Sequence, residues 1–414
     1  MTDNASNMVN AWAHLKAKLP IFAGGCAAHT INLLIQDVFK LSFFTAIRKE
    51  AVAITKFVRD HHALLDEFRN LQSTVIQAHD DLLDQFRSLH QATTLPSTDR
   101  RRALVLPIQT RWYTLHACLR SVMTNMVVIK KLFDASDNAE LLSRYQVTAS
   151  NRAPLDKVIA IIDDPDFWVR LEHAVKLIDP IVEVLRELES DKCATSRVYS
   201  LFRRLRTHSI YETSNRVIPT GLLTSIKTHI ESRWKFVKTD AIKIAFLLDP
   251  STDTSDFMEN DMNESVAAAV AFAERAHLLG STSSTAFTAA LYAFGALKKG
   301  WSVQEKAQYA AAAPSHWWED NSQFFEKTHP KVYDLAKLVF AVPTSSAASE
   351  RAWSIFDFIH SKKRNRLTKD KVEKLAYIYI NLAATTSTWI DVARVREYPE
   401  SVTGPETEMV AEQV

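Results

Sequence analysis

The amino-acid sequence predicts a mainly α-helical protein. Only 7 of its 414 residues are glycine, far below the average share of about 7%. Glycine supplies the positive-φ positions of hairpins and tight strand-to-helix turns, so its scarcity disfavours a large sheet. Over most of the chain, apolar residues recur at intervals of three and four residues, which is the period of an amphipathic helix. Long helices joined by few turns are therefore expected.

The N-terminal segment is the one part for which an α/β arrangement is predicted. Residues 7–19 have the pattern of a short helix, and residues 21–26 (IFAGGC) then have that of a short strand. From His29 onward the apolar spacing predicts helices. Further helical stripes occupy residues 54–71, 75–89, 115–133 and 171–188. Pro180 lies inside the last of these, so a kink or a restart of the helix is expected there.

Two segments interrupt the helical pattern. Residues 93–110 contain two prolines and a candidate strand at 103–106. Residues 249–264 (DPSTDTSDFMENDMNE) are acidic and polar without periodicity, which predicts a mobile loop. Helices are expected again after residue 286, and the acidic end of the chain is expected to be partly disordered.

Composition limits the classes of function. The net charge is +2, so any nucleic-acid role must depend on local clusters of cations rather than on total charge. The three cysteines, Cys26, Cys118 and Cys193, are far apart, which disfavours a disulfide framework and favours a reducing compartment. No apolar run approaches the roughly 18 residues of a membrane span. The N-terminus lacks a signal-peptide pattern, and no glycine-rich phosphate loop is present. We expect an intracellular protein without a membrane or small-molecule partner.

Two motifs near the N-terminus carry chemically useful side chains. Asp3, in TDNASNM, lies just before a helix, where its carboxylate could hold a divalent cation or simply cap the helix. Cys26 and His29 form a CxxH pair (CAAH), which is half of a zinc site. Because no second pair stands at suitable spacing, a buried Cys26 and a His29 that caps the helix or lines a groove are favoured.

A third motif is Thr110-Arg111-Trp112. The guanidinium group of Arg111 suits a phosphate, and the indole of Trp112 offers a face on which an unpaired base can stack. The alternative is a core tryptophan beside a surface arginine.

The fourth motif is the longest, PTSSAASERAWS at residues 343–354. Its serines are good N-caps for a helix that carries Glu350 near its start, with Trp353, Phe356 and Ile359 facing the core. A basic run, KKRNRL, follows it. Its four cations, Lys362, Lys363, Arg364 and Arg366, are suited to a phosphate backbone. A solvated basic turn or a nuclear-import signal is the alternative.

The order DNASNM, CAAH, TRW, SSAASERAWS and KKRNRL resembles that of the hAT superfamily of cut-and-paste DNA transposases, over nearly the whole chain. The segments LIDP (177–180) and LLDP (247–250) also resemble parts of this family. The resemblance implies four regions. These are a remnant of an RNase H-like α/β core at 1–50, an all-helical insertion at 51–314, a C-terminal dimerisation region at 315–385 and a tail at 386–414.

The chemistry implied by the resemblance is Mg²⁺-dependent cleavage and transfer of DNA strands in the nucleus. Family active sites use two aspartates and one glutamate to hold two Mg²⁺ ions. By motif matching, Asp3 takes the place of the second aspartate and Glu350 that of the glutamate, so both are expected to be catalytic residues and metal ligands, brought side by side. His29, Arg111 and Trp112 are expected to contact DNA together with the four cations.

The first catalytic aspartate of the family would lie upstream of Met1. Loss of one group that stabilises transition-state charge commonly costs about 10²–10³-fold in rate or more. We therefore expect a truncated relative that binds DNA and dimerises rather than cuts, whereas a longer natural form would be an active transposase. A helical protein-interaction scaffold without a nucleic-acid role is a further alternative.

The dimer surface is expected to combine two tryptophans with one stripe of the last helix. Its members are Trp317, Trp318, Val372, Leu375, Ala376, Tyr379 and Leu382. The alternative is that these residues fill the core of their own chain.

Overall fold

The computed structural model describes residues 6–75, 103–107, 113–147, 149–190, 193–212, 217–344, 355–357, 359 and 367–386. The chain divides into two compact units, Met1–Ser345 and Ser346–Val414. Most residues in the described ranges are helical, and no strand occurs within them. The mainly α fold class is thus confirmed.

The first unit begins with α1 (Ser6–Lys18), α2 (Ala27–Phe39), α3 (Ser42–Asp60), α4 (residues 62–75), α5 (Tyr113–Thr124), α6 (Met126–Leu132), α7 (Ala135–Ser143), α8 (Ala149–Asp163) and α9 (Pro165–Glu189). It continues with α10 (Thr195–Arg206), α11 (Thr220–Val237), α12 (Asp240–Leu248), α13 (Asp261–Arg275), α14 (Ser284–Lys299), α15 (Val303–Ala311), α16 (Pro314–Asp320), α17 (Ser322–Thr328) and α18 (Pro330–Phe340). The second unit contains α19 (Lys369–Thr386) and helical residues at 355–357 and 359. None of the described helices is by itself long and apolar enough to cross a membrane; α2 and α3, bent by 87° at their junction, pass that test only as a pair.

The long helix α9 organises the first hydrophobic core, where it packs against α2, α3, α5, α8 and α10. Asp164 caps its N-terminus by accepting from the backbone N–H of Asp166, and Pro165 occupies the first turn, where no N–H is needed. The apolar stripe expected at 171–188 is buried. The helix continues through Pro180 rather than restarting there.

A second core lies among α12, α13, α14, α16 and α18. At its centre the C-terminal end of α12 meets Lys298 of α14. Lys298 is fully buried, and its Nζ lies 2.9 Å from the carbonyl oxygen of Leu247, 2.7 Å from that of Asp249 and 2.8 Å from Oγ1 of Thr252. The last carbonyl groups of a helix have no partners within the helix. This buried amine therefore provides hydrogen bonds that α12 cannot make for itself.

Neither predicted strand is present. Residues 21–26 have no regular structure apart from a single bridge at Gly25, and Phe22 stacks on Phe272 of α13 with 3.9 Å between ring centroids. Residues 103–107 have no regular structure; the N–H of Val105 donates to Ser121 Oγ at 3.1 Å, a side chain rather than a strand. Each segment contacts a helix, through Phe22 on α13 and through Val105 on α5. The RNase H-like remnant expected at residues 1–50 is not confirmed.

The acidic segment 249–264 is also more ordered than predicted. It includes a short 3₁₀ helix at Thr254–Asp256 and the first turn of α13. Asp253 Oδ2 accepts from Lys306 Nζ at 2.6 Å, and the buried Asp261 accepts from Tyr199 at 2.7 Å. The acidic composition predicted an irregular loop. The local sequence does not reveal the partners that order these carboxylates, because those partners lie far away in the chain.

Candidate functional site

The CAAH motif forms the start of α2. Cys26 is the N-cap, and its Sγ accepts from the backbone N–H of His29 at 3.3 Å. Cys26, Ala27 and Ala28 are buried, whereas the His29 ring is half-buried. The expectation of a buried Cys26 is confirmed, and its sulfur, rather than the His29 side chain, is the N-cap of the helix.

A second motif meets this helix start. The N–H of Ala27 donates to the carbonyl oxygen of Thr344 at 3.1 Å, immediately before the serine-rich SSAASE segment. The Thr344 hydroxyl donates to the Cys193 carbonyl at 3.3 Å, and Thr195 donates to the Val342 carbonyl. Three segments that are distant in sequence are therefore joined around residues 342–344. Within the described residues, the first turn of α2 thus lies beside Thr344, the second residue of the motif that carries Glu350.

Several predicted site residues lie outside the described residues. They are Asp3, Glu350, Arg111, Trp112, Lys362, Lys363, Arg364 and Arg366. The juxtaposition of Asp3 with Glu350 and their binding of Mg²⁺ stay predictions, as do the DNA contacts. Within the described ranges, no group of three or more His, Cys, Asp or Glu side chains could hold a metal ion.

A cavity of about 570 Å³ lies between α5, α9 and the segment 103–105. Tyr113 and Arg120 of α5 and Arg186 of α9 are among its lining residues, and Tyr113 is 39% exposed. Its apolar wall comprises Ala103, Val105, Ala117, Val182 and Leu185. An exposed aromatic ring thus shares one concave surface with two cations and an apolar wall.

Two of the cavity's lining residues, His116 and Arg120, bind the carboxylate of Asp179. His116 Nε2 lies 2.6 Å from Asp179 Oδ1, and Arg120 Nη1 donates to the same oxygen at 3.0 Å. Partial burial of Asp179 acts to raise its pKa, but the hydrogen bond to His116 and the charges of His116, Arg120 and Arg186 together hold the pKa below its ordinary value. Asp179 is therefore ionised and already paired at neutral pH.

The two Asp-Pro segments play comparable parts in the first unit. Asp179 of LIDP joins α9 to α5, and Asp249 of LLDP lies at the end of α12. Asp249 Oδ1 accepts from the backbone N–H of Ser251 at 2.8 Å, and its Oδ2 accepts from Ser196 of α10. Both aspartates thus hold helices together through their carboxylates.

The two tryptophans expected at a dimer surface lie inside the first unit. Trp318 is 1% exposed, and its indole N–H donates to the Leu248 carbonyl at 3.0 Å. Trp317 is buried beside it, with 5.3 Å between the ring centroids. Both rings pack around Phe294 and Phe325. Their burial favours the alternative that they fill the core of their own chain.

The last helix separates the predicted stripe into inner and outer residues. Val372 and Ala376 of α19 are buried with Ile355 and Ile359, and Tyr379 packs against this cluster. Ile359, and Phe356 beside it, face this cluster as the sequence predicts. Leu375 is 43% exposed, so it lies at the solvent side of the stripe. The helix extends past Leu382.

The sequence interpretation missed two exposed apolar residues of α19, Tyr377 and Ile378. Ile378 is 59% exposed and stands three residues after Leu375, so the two share one side of the helix. We name Leu375 and Ile378 the α19 face. The three-residue spacing from Leu375 signals Ile378, but the predicted stripe continued from Leu375 to Ala376, Tyr379 and Leu382 instead. The α5–α9 cavity was also missed, since its residues are widely separated in the sequence.

Comparison with known families finds a match in the C-terminal part of the chain. Residues 299–382 match the model of the hAT family C-terminal dimerisation region. The match begins before the expected start at residue 315 and ends before the expected end at residue 385. It includes α15–α18 of the first unit and most of α19. A comparison with curated proteins found no similar sequence.

Proposed function

Because this chain is related to the hAT transposases through its C-terminal dimerisation region, we propose that it self-associates through the α19 face and that it binds DNA. The observation that carries the first part is the exposure of Leu375 and Ile378 inside the matched region. Two neighbouring aliphatic side chains on one helix face gain free energy when a partner removes them from water. A second copy of the chain brings an identical face, as twofold symmetric association requires.

The double variant Leu375→Glu, Ile378→Glu is expected to weaken self-association roughly 100-fold, which corresponds to about 2.8 kcal/mol. In a symmetric dimer each substitution acts twice, and every one removes apolar contact and places a carboxylate in the interface. Light scattering coupled to size-exclusion chromatography, over a series of protein concentrations, measures the effect. The variant is expected to elute as a single chain at concentrations where the parent is a dimer.

The matched control is Val169→Glu, which charges a half-exposed aliphatic position on α9 outside the matched region. It is expected to leave the dimer unchanged. Circular dichroism of both variants confirms that the helices are retained. A double variant with parental mass at every concentration would remove the α19 face from the proposal.

For DNA binding, the supporting feature is the basic run at 362–366, which lies within the matched region. Four cations in five residues can neutralise several phosphates of one backbone segment. Asp3 and Glu350 are carboxylates of the kind that Mg²⁺ prefers, and we propose that they belong to the ancestral metal site for strand cleavage and transfer. Bound Mg²⁺ would stabilise charge at phosphorus. We also propose a nuclear location, where such a protein meets its DNA.

Replacing Lys362, Lys363, Arg364 and Arg366 by glutamine is expected to weaken duplex DNA binding and flatten its salt dependence. Each lost phosphate contact lowers the slope of log affinity against log salt by about 0.9. The slope is therefore expected to fall by roughly 3 when most of these contacts are removed. Fluorescence anisotropy with a labelled duplex at several salt concentrations measures it.

A control of equal charge change replaces four exposed cations of the first unit by glutamine: Lys130, Lys131, Arg144 and Arg152. It is expected to keep the parental slope. Equal losses in the two variants would point to non-specific attraction. A parent that does not bind DNA would favour the helical interaction scaffold.

A further inference from the structure

The carbonyl groups at the end of α12 are buried and lack the donors that a continuing helix would supply. The residue four positions after Phe246 is Pro250, which has no N–H. Four positions after Leu247 stands Ser251, whose N–H donates to the Asp249 carboxylate at 2.8 Å instead. The C-terminal end of a helix also carries a partial negative charge. The end of α12 therefore offers strong acceptors to a donor from elsewhere.

Four uncharged oxygen atoms at this end surround the fully buried amine of Lys298. Three are the carbonyl oxygens of Phe246, Leu247 and Asp249, which lie 3.4, 2.9 and 2.7 Å from Nζ. The fourth is Oγ1 of Thr252, at 2.8 Å. We call these four atoms the α12 oxygen site.

The α12 oxygen site suits an amino group in either protonation state. A neutral amine has two N–H donors, one for Leu247 and one for Asp249, and its lone pair accepts from the Thr252 hydroxyl. A charged amine gives its third hydrogen to Thr252, whose hydroxyl then donates to the Phe246 carbonyl, 2.8 Å away. A hydroxyl ligand brings only one donor, and a quaternary ammonium ion brings none. The site therefore discriminates in favour of a primary amine.

The amine reaches the site through apolar surroundings. The stem of Lys298 comes from α14, where Phe294 lies one turn earlier and belongs to the second core. The centre of the Phe294 ring is 5.8 Å from Nζ. A ligand of this site therefore needs an aliphatic stem behind its amino group, which describes a primary alkylamine.

We propose that the α12 oxygen site is a binding site for a primary alkylamine, and that the side chain of Lys298 is the tethered ligand that occupies it. Because the tether belongs to α14, the bound amine joins α14 to α12. Trp318, within the matched region, donates to the adjacent Leu248 carbonyl at 3.0 Å. The occupied site thus completes the end of α12 against which the matched region packs. Neither self-association nor DNA binding is needed for it.

Chemical rescue of Lys298→Ala in the full chain tests the proposal. The substitution removes the amine and most of its four-carbon stem, and ethylamine returns the amine with a short stem. The thermal midpoint of the variant is expected to rise by about 2–4 °C when ethylamine reaches about ten times its dissociation constant. The midpoint of the parent, whose site is filled, is expected to change by less than about 1 °C.

Three controls separate amine recognition from general effects. Tetramethylammonium carries the charge without an N–H donor, and ethanol carries the stem with a single donor. Neither is expected to raise the midpoint of Lys298→Ala more than that of the parent. Lys299→Ala removes the adjacent, exposed lysine, and ethylamine is expected to treat it like the parent.

The rescue is expected to strengthen with pH. Burial lowers the pKa of Lys298 to about 7, although Asp249, Asp253 and Asp256 favour the charged amine; Lys306 opposes it. A free alkylamine has a pKa close to the lysine value of about 10.4. Between these values binding releases a proton, so the apparent affinity for ethylamine is expected to rise about tenfold for each pH unit. An affinity independent of pH would overturn binding of the neutral form.

Nitrogen-15 NMR of the lysine amines in the parent gives a second test, which does not require the variant to fold. One amine is expected to keep its hydrogens against exchange with water and to titrate with a pKa of about 7, unlike exposed lysines. Rapid exchange of every lysine amine would overturn the proposal. So would the absence of rescue in folded Lys298→Ala, or equal rescue by ethanol.

Discussion

Replacement of Lys298 by methionine is expected to lower the free energy of unfolding by at least about 3 kcal/mol. The amine lies at the end of α12, within hydrogen-bond distance of the Leu247 and Asp249 carbonyls and the Thr252 hydroxyl, in a place that water does not reach. Methionine fills a similar volume but donates nothing. Buried carbonyl groups left without a donor each cost about 1–3 kcal/mol.

The size of this loss depends on pH in a direction set by the buried amine. Burial lowers the pKa of Lys298 to about 7, against the opposing influence of Asp249 and Asp253. In the unfolded chain the lysine pKa is about 10.4. Between these values the unfolded state binds more protons, so the stability of the parent rises with pH. The lysine contribution is therefore greatest above the unfolded pKa and decreases as the pH falls through the folded value.

Urea unfolding of the parent and Lys298→Met, at about pH 7 and about pH 9, measures both effects. The difference in unfolding free energy is expected to be larger at the higher pH. Lys299→Met is the control because Lys299 is adjacent but exposed, and a change within about 0.5 kcal/mol is expected. Equal midpoints for Lys298→Met and Lys299→Met would show that the buried amine does not stabilise the α12 end.

Trp318→Ala is expected to destabilise the first unit by about 4 kcal/mol. The substitution opens a cavity among Phe294, Phe325 and Tyr333, whose rings surround the indole. It also removes the donor to the Leu248 carbonyl. Both losses affect the C-terminal end of α12, whose carbonyl groups also lie within hydrogen-bond distance of Lys298.

The same variant distinguishes a core tryptophan from an interface tryptophan. If Trp318 fills its own chain's core, the loss of stability is independent of protein concentration, as thermal unfolding over a hundredfold dilution series would show. Phe324→Ala truncates the exposed neighbour of Phe325 and is expected to change stability little. A destabilisation by Trp318→Ala that appears only at concentrations where the chain is dimeric would place the indole in the interface instead.

Local periodicity was sufficient to predict the helical fold, but the two strands predicted from the sequence are not formed. The stripe at 171–188 identified α9 because a face buried against neighbouring helices needs the same spacing whatever those neighbours are. IFAGGC has the composition of a strand, yet a strand exists only with a partner. In this chain its Phe22 stacks on α13 instead. That choice depends on tertiary contacts, which the segment itself does not encode.

The candidate sites show the same difference between features that local sequence encodes and features that depend on tertiary contacts. The helix that begins at CAAH was predicted from the apolar spacing after His29, and its cap joins the Cys26 Sγ acceptor to the His29 N–H donor three residues later. Apolar character alone could not tell whether Trp318 faces its own core or a partner, and the structure places it in the core. Tyr113 and Arg186 line the same cavity only because α5 packs on α9. Sequence spacing therefore gave no signal for their cavity.

The mass of the full chain in solution, measured by sedimentation equilibrium, tests the central claim of self-association most directly. Our account predicts a species of twice 46.9 kDa at micromolar concentration, which dissociates on dilution and is lost in the Leu375→Glu, Ile378→Glu variant. A single-chain mass of 46.9 kDa at every concentration up to the solubility limit would contradict it.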